Sequence, residues 1–290
     1  MNILMSTGIY GLIYAILAIG VYITFRILNF ADMTAEGSLS LGGSVCAVFL
    51  TSGMNPIISI VLAGLIGSLA GLFTGFLHTK FKIQAILSGI LTMVALYSIN
   101  LKIMGKSNIS LLDNSTIFGS AESDQPINLV IVIGICLVLL LSLNLFFKTN
   151  LGLSIRATGD NEQMMRALAT NTNSKKILAL MISNGLCAIA GALLAQNQGY
   201  ADVNMGTGTI VIALASIVIG EALVSQHSFL TKLISVVVGT IVYRAIIAVV
   251  LNLGMNPIDL KMFTAFVAAI LLGVPNIRKT LKRSVISVKN

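Results

Sequence analysis

An all-α, multi-pass membrane fold is predicted by three observations. Hydrophobic residues make up 56% of the 290-residue chain and charged residues only 10%, with a mean hydropathy of +0.97; a soluble domain carries about 25% charged residues. The apolar runs are about 20 residues long and lack the strict alternation of a barrel strand, so they read as membrane-spanning helices. The basic residues collect in alternate connections, as the positive-inside rule requires. No stretch has the size and polarity of a separate soluble domain, so residues 1–290 read as one membrane domain.

Segment 1 spans residues 3–25 and is closed by Arg26. No basic residue precedes it, so it is not expected to be a cleaved signal. Residues 27–56 are only partly apolar, rich in Gly and Ser, and carry Asp32 and Glu36. They read as a second segment, with a full crossing and a broken or half-inserted one both open. Segment 3, residues 57–77, places Gly67, Gly71 and Gly75 at four-residue spacing on one face, where a neighbouring helix can approach closely. A short basic loop, His78–Lys82, leads to segment 4 at 83–101. Residues 102–126 form a polar connection with Lys102, Lys106, Asp113, Glu122 and Asp124, and segment 5 covers 127–147.

Lys148 to Lys176 is the longest polar run between apolar segments. It holds Lys148, Arg156, Arg166, Lys175 and Lys176 against Asp160 and Glu162. Inside it, Asp160 as N-cap and Gln163 in the first turn predict a short helix whose Met164 and Leu168 share a face. Such a helix either folds back on its own membrane domain or docks into another protein, for which adaptable Met side chains are suited. Segment 6 (177–195) carries Gly185, Ala188 and Ala192 as small packing residues. A connection with Asp202 and Asn204 leads to segment 7 (208–224), which contains Glu221. Segment 8 (230–253) contains Arg244, and segment 9 (258–274) precedes a basic tail. The tetrapeptide GlyMetAsnPro occurs at 53–56 and again at 254–257, each time as a good helix start with Asn as cap and Pro at the first helical position.

With the 148–176 loop inside, fourteen basic residues fall on the cytoplasmic side, and Lys102, Lys106 and Lys261 fall outside. The expected topology is nine segments, N-terminus outside and C-terminus cytoplasmic. This topology also accounts for the net charge of +8, since the basic residues are not clustered with aromatics as a nucleic-acid surface would need. Cys46, Cys136 and Cys187 sit in apolar segments with no metal-ligand or disulfide spacing. No motif of an enzyme is present. Gly105-Lys106-Ser107 imitates the end of a phosphate loop, but Asn100 stands where that loop needs Gly. This chain is therefore expected to bind no ATP, cofactor or metal and to be no enzyme.

Ionisable groups at membrane depth are costly and call for partners. Arg244 is expected to face the interior and pair with Glu221, Glu36 or Asp32. Asp32 and Glu36, four residues apart, share a helix face; together they favour a cation, a proton or a basic partner. An ion relay through Asp32, Glu36 and Arg244 would make the chain an ion-gradient-driven secondary transporter, though no convincing inverted repeat supports it.

Three blocks carry a resemblance: FRILNFADMTAEGSLSLGGSV (25–45), IRATGDNEQMMRALATNT (155–172) and SNGLCAIAGALLAQNQGYADVNMGTGTIVIALASIVIGEAL (183–223). They resemble the permeases of branched-chain amino acid-type ABC importers, most of all the single-permease branch linked to tryptophan or other amino acid uptake. The resemblance implies a multi-pass protein of the bacterial inner membrane working with a second permease, expected to be an identical chain. It also implies an ATPase that holds the ATP and Mg and an extracytoplasmic binding protein. It implies that the 159–168 stretch, with Gly159, Asp160, Asn161, Met164, Met165, Arg166 and Leu168, docks on the ATPase. The family's usual ten segments, less the first, give nine. A translocation pathway at the dimer interface is expected along segment 2 and parts of segments 5 and 8, with Asn29, Asp32, Thr34 and Glu36 lining it. Arg244 and Glu221 are the intramembrane charges.

Overall fold

The computed structural model describes residues 2–119, 125–253, 262, 264–267 and 269. The chain begins with α1 (Asn2–Tyr22), which runs into one π-helical turn, Ile23–Ile27. Then come α2 (Thr34–Thr51), α3 (Pro56–Lys80), α4 (Ala85–Met104), a short strand β1 (Asn108–Ser110) and α5 (Gln125–Phe146). Two short helices follow, α6 (Asn150–Asp160) and α7 (Glu162–Ala167), then α8 (Thr172–Gln198), β2 (Tyr200–Asp202), α9 (Thr209–Leu223) and α10 (Phe229–Asn252). Six of these helices are long and apolar enough to cross a membrane. The predicted segments 1 to 8 each coincide with a helix, whereas segment 9, the second GlyMetAsnPro copy and the basic tail lie largely or wholly outside the described residues.

The first GlyMetAsnPro behaves as its chemistry dictates. The Asn55 side chain accepts the Ile57 N–H at 2.9 Å, and Pro56 opens α3. Gly67, Gly71 and Gly75 then form the seam with α8: an added Cβ would meet Ala188, Leu180 and Ile177 respectively. The backbones approach there because nothing but hydrogen stands between them, the usual basis of helix packing in lipid.

Segment 2 is not broken. α2 is continuous from Thr34 to Thr51 and is buried along nearly its whole length, packed by α3, α4 and α8. Its Gly and Ser content marks tight packing on every side, and the break falls before it, in the π-turn and the 28–33 loop. Asn29 takes the left-handed backbone there, with φ of 54°.

Irregular backbone inside the helix layer occurs instead ahead of α9. β1 and β2 pair antiparallel, Asn108 opposite Asp202, a feature outside the all-α expectation. From this ribbon the chain turns back along α2, so that Gly206 lies on the Glu36 carbonyl and donates to Ser40 Oγ at 3.0 Å. α9 starts only there. Its 15 residues reach roughly 22 Å at 1.5 Å per residue, short of a ~30 Å hydrocarbon core. Residues 203–208 fold back against α2 ahead of α9 and are re-entrant in that sense.

The opposite end of the bundle carries most of the described basic groups, with Lys102 and Lys106 at the β1 end. Arg26 pairs with Glu221 at the foot of α9. The 148–176 stretch is two helices rather than a loop with one. α6 is anchored by fully buried Ile155 and by Gly159, where a Cβ would land on the Ile27 carbonyl.

Candidate translocation and coupling sites

Irregular backbone in a membrane domain must have its N–H groups satisfied internally. In the re-entrant loop they are. Asn204 N donates to Asp202 Oδ1 at 2.7 Å and Met205 N to the Asp202 carbonyl at 3.2 Å. Thr207 N donates to the Asn204 carbonyl at 3.0 Å and Thr209 N to the Gly206 carbonyl at 3.1 Å. Gly208 N and Ile210 N both donate to Glu36 Oε1, at 2.9 and 3.4 Å. Glu36 therefore caps α9 from a different helix, a carboxylate at the positive end of a helix dipole.

Asp32 does a similar task elsewhere. Its Oδ1 accepts the Thr34 N–H at 2.9 Å at the start of α2, and its Oδ2 accepts from Asn184 Nδ2 on α8 at 2.7 Å. Asn184 Oδ1 in turn accepts from Ser38 at 2.7 Å. Thr34 bonds Thr74 Oγ1 at 2.7 Å, and Thr74 donates to Thr92 at 2.9 Å. Asp32 and Thr34 are fully buried in this α2–α3–α4–α8 network. The two carboxylates expected to act as a pair thus serve two separate helix starts, because a 32–36 helical turn does not exist: α2 begins after Asp32. Among the described residues no cluster of His, Cys, Asp or Glu could hold a metal.

Glu36 also borders a cavity of about 320 Å³. α2 supplies Glu36 and Ser40, α4 supplies Met93, Tyr97 and Asn100, and the re-entrant loop supplies Asn204. Of the four residues expected along a pathway, Glu36 is the one on this wall, and α4 faces it. Asn100 is 1% exposed, and neither its Oδ1 nor its Nδ2 has a hydrogen-bond partner. The sequence signal for it is an amide near the end of apolar segment 4, whose other amide, Gln84, stands at the segment's start.

Arg244 pairs with none of the three acids named for it. Glu221 is taken by Arg26, Glu36 by α9 and Asp32 by Asn184. The guanidinium instead lies 3.7 Å from the Tyr14 ring centroid and 5.6 Å from that of Tyr10. Cation–π contact offsets part of the cost of its desolvation. Arg244 borders a larger void of about 560 Å³ with Tyr200, Asp202 and Thr209.

At the basic end, Asn161 rather than Asp160 is the cap of α7: its Oδ1 accepts the Met164 N–H at 2.9 Å, while Asp160 ends α6. Glu162 ties α7 to α8 through Lys176 at 2.8 Å and to Arg166 at 2.7 Å. Burial alone would raise the Glu162 pKa, but Lys176 and Arg166 outweigh it and hold the carboxyl below its ordinary value. Met164 and Leu168 are 48% and 66% exposed, whereas Met165 is 7% exposed and packs inward. Gly159 faces Ile27, and Asp160 and Asn161 are exposed.

A multi-pass helical bundle with a cavity beside irregular backbone is an architecture on which membrane transport sites are built. A model of the family described as branched-chain amino acid transport system / permease component matches residues 3–275, and the chain belongs to that family. It is 46% identical over 284 residues to the tyrosine transport system permease protein of Clostridioides difficile (strain R20291), covering 98% of this chain and 95% of the relative. It is 26% identical over 267 residues to the ribose import permease protein RbsC of Escherichia coli (strain K12), covering 90% and 79%. Its fold is similar to PsaBC from Streptococcus pneumoniae in complex with Fab, with a TM-score of 0.52, 14% identity and coverage of 94% and 89%. It is likewise similar to an inward-facing putative metal-chelate type ABC transporter, with a TM-score of 0.51, 17% identity and coverage of 95% and 85%.

Proposed function

We propose that this chain is the permease subunit of an ATP-driven importer that carries an amino acid with an aromatic side chain, of the tyrosine or tryptophan kind, into the cell. The observation that carries the ATP-driven part is the α6–α7 unit. Its exposed apolar tip, Met164 and Leu168, stands on a mount tied to α1 through Gly159 and Ile27 and to α8 through Glu162 and Lys176. An ATPase docked on that tip would pass its closure directly into α1 and α8. The amino acid reading rests on the similarity to the tyrosine transport system permease protein of Clostridioides difficile.

In this reading the basic end faces the cytoplasm of a bacterial inner membrane, with nine segments, N-terminus outside and C-terminus inside. Two identical permeases meet so that the α2–α4 face lines the pathway, since a carboxylate and an orphaned amide facing lipid are costly. ATP and Mg sit in the ATPase, and an extracytoplasmic protein delivers the solute. Purification of the tagged chain from its native membrane in mild detergent, with mass spectrometry of what accompanies it, tests the assembly. A stoichiometric Walker-type ATPase is expected, and a chain that comes out alone in several detergents contradicts the reading.

A further inference from the structure

The Glu36–Asn100 cavity holds a polar side chain that the fold leaves without a use. Asn100 lies on α4 within an apolar helix, 1% exposed, and both its amide atoms lack a partner. Natural interiors rarely leave a buried amide wholly unpaired, and such a group needs an explanation outside the fold itself. The cavity wall supplies one. Glu36 is the acid on the wall, and its hydrogen bonds to the α9 start fall on Oε1 alone. Met93, Val94, Tyr97 and Val203 give the cavity an apolar side. Its volume of about 320 Å³ lies at the low end of the range of about 300–1,000 Å³ for small-molecule sites.

We propose that this cavity is an amino acid site within the permease, in which Glu36 Oε2 accepts from the solute's ammonium, Asn100 Nδ2 donates to its carboxylate, and the Met93–Tyr97 face holds its side chain. The proposal rests on the importer reading, and it adds that the permease itself inspects both ends of the zwitterion. The re-entrant loop explains why the site sits here. It brings Asn204 and Thr207 into the cavity wall and fixes Glu36 through the α9 start, so that a carboxylate is already oriented before any solute arrives. Closure of the docked α6–α7 units would then act on a solute already held between α2 and α4.

The test is saturable binding of radiolabelled L-tyrosine to the purified full chain in lipid nanodiscs, with no binding protein present. Tyramine lacks the carboxylate and 3-(4-hydroxyphenyl)propionate lacks the amine, so competition by each reads one end of the site. With the native protein, tyramine is expected to compete at least 10-fold better than the propionate. Glu36→Gln keeps an acceptor for α9 and is expected to erase that preference. Asn100→Leu is expected to weaken L-tyrosine at least 10-fold while leaving tyramine within about 3-fold. Its melting temperature should not fall, because no bond is lost. No saturable binding to the native chain, equal competition by both analogues, or unchanged L-tyrosine affinity in Asn100→Leu overturns the site. These outcomes are independent of whether uptake needs ATP, so the importer reading stands or falls separately.

Discussion

Glu36 on α2 accepts the Gly208 N–H at 2.9 Å, a bond between residues 172 positions apart that fixes where α9 begins. Without it, the first N–H groups of α9 would lie orphaned inside the bundle. Glu36→Ala is expected to destabilise the protein by about 1–2 kcal/mol, read as a lower melting temperature in detergent. Glu36→Gln retains an acceptor and should recover most of that loss. Equal melting of Ala and native protein would mean that α9 is started by something else.

The α3–α8 seam allows a paired comparison. Gly71→Leu drives a side chain into the Leu180 carbonyl, whereas Gly134 on α5 has nothing within 4 Å of an added Cβ. Overpacking costs typically 1–3 kcal/mol and more against backbone. Gly71→Leu should therefore yield aggregated protein on size exclusion, and Gly134→Leu a native profile.

How much of this was legible in sequence follows from the residues themselves. The Gly67–Gly71–Gly75 stripe and the Asn55–Pro56 start are local patterns, and both were readable. The Gly and Ser residues of α2 leave a break and a full crossing both open in sequence, because in a membrane bundle small residues also mean close approach, and α2 is buried along nearly its whole length. The re-entrant loop was invisible because its hydrogen bonds end on Glu36 and Ser40 of a distant segment. At α7, Asp160 and Asn161 are both good caps, and only the packing of α6 through Ile155 and Gly159 decides for Asn161. For Arg244, the aromatic alternative to an acid partner lay in Tyr10 and Tyr14 of segment 1.

The exposure of the α7 tip separates coupling from folding. Met164→Asp with Leu168→Asp is expected to leave melting within about 0.5 kcal/mol of native, as surface changes do, while uptake falls at least 10-fold. Met165→Asp places a charge where the side chain is 7% exposed and should destabilise by about 3 kcal/mol or more. Normal uptake in the Met164/Leu168 double variant would remove the docking assignment.

Glu162 gives a pH signature. Its folded pKa lies below its ordinary value, held there by Lys176 and Arg166 against the effect of burial. Its contribution is therefore fully present above the unfolded value of about 4.3 and is lost as pH falls through the lowered one. The pair is partly exposed, 31% for the Glu162 side chain, so solvent screening limits the effect to about 0.5–1 kcal/mol. Glu162→Gln should melt below native protein at pH 7, with the gap closing in acid and narrowing in high salt.

The central claim is that ATP hydrolysis by a docked partner drives this permease. The direct measurement is uptake of labelled L-tyrosine into proteoliposomes holding the permease with its co-purified ATPase and binding protein, with and without ATP, and with ionophores that collapse ion gradients. The account predicts uptake that requires hydrolysable ATP and is indifferent to the ionophores. Uptake that proceeds without ATP and stops when the gradient is collapsed would contradict it and make the chain a secondary transporter.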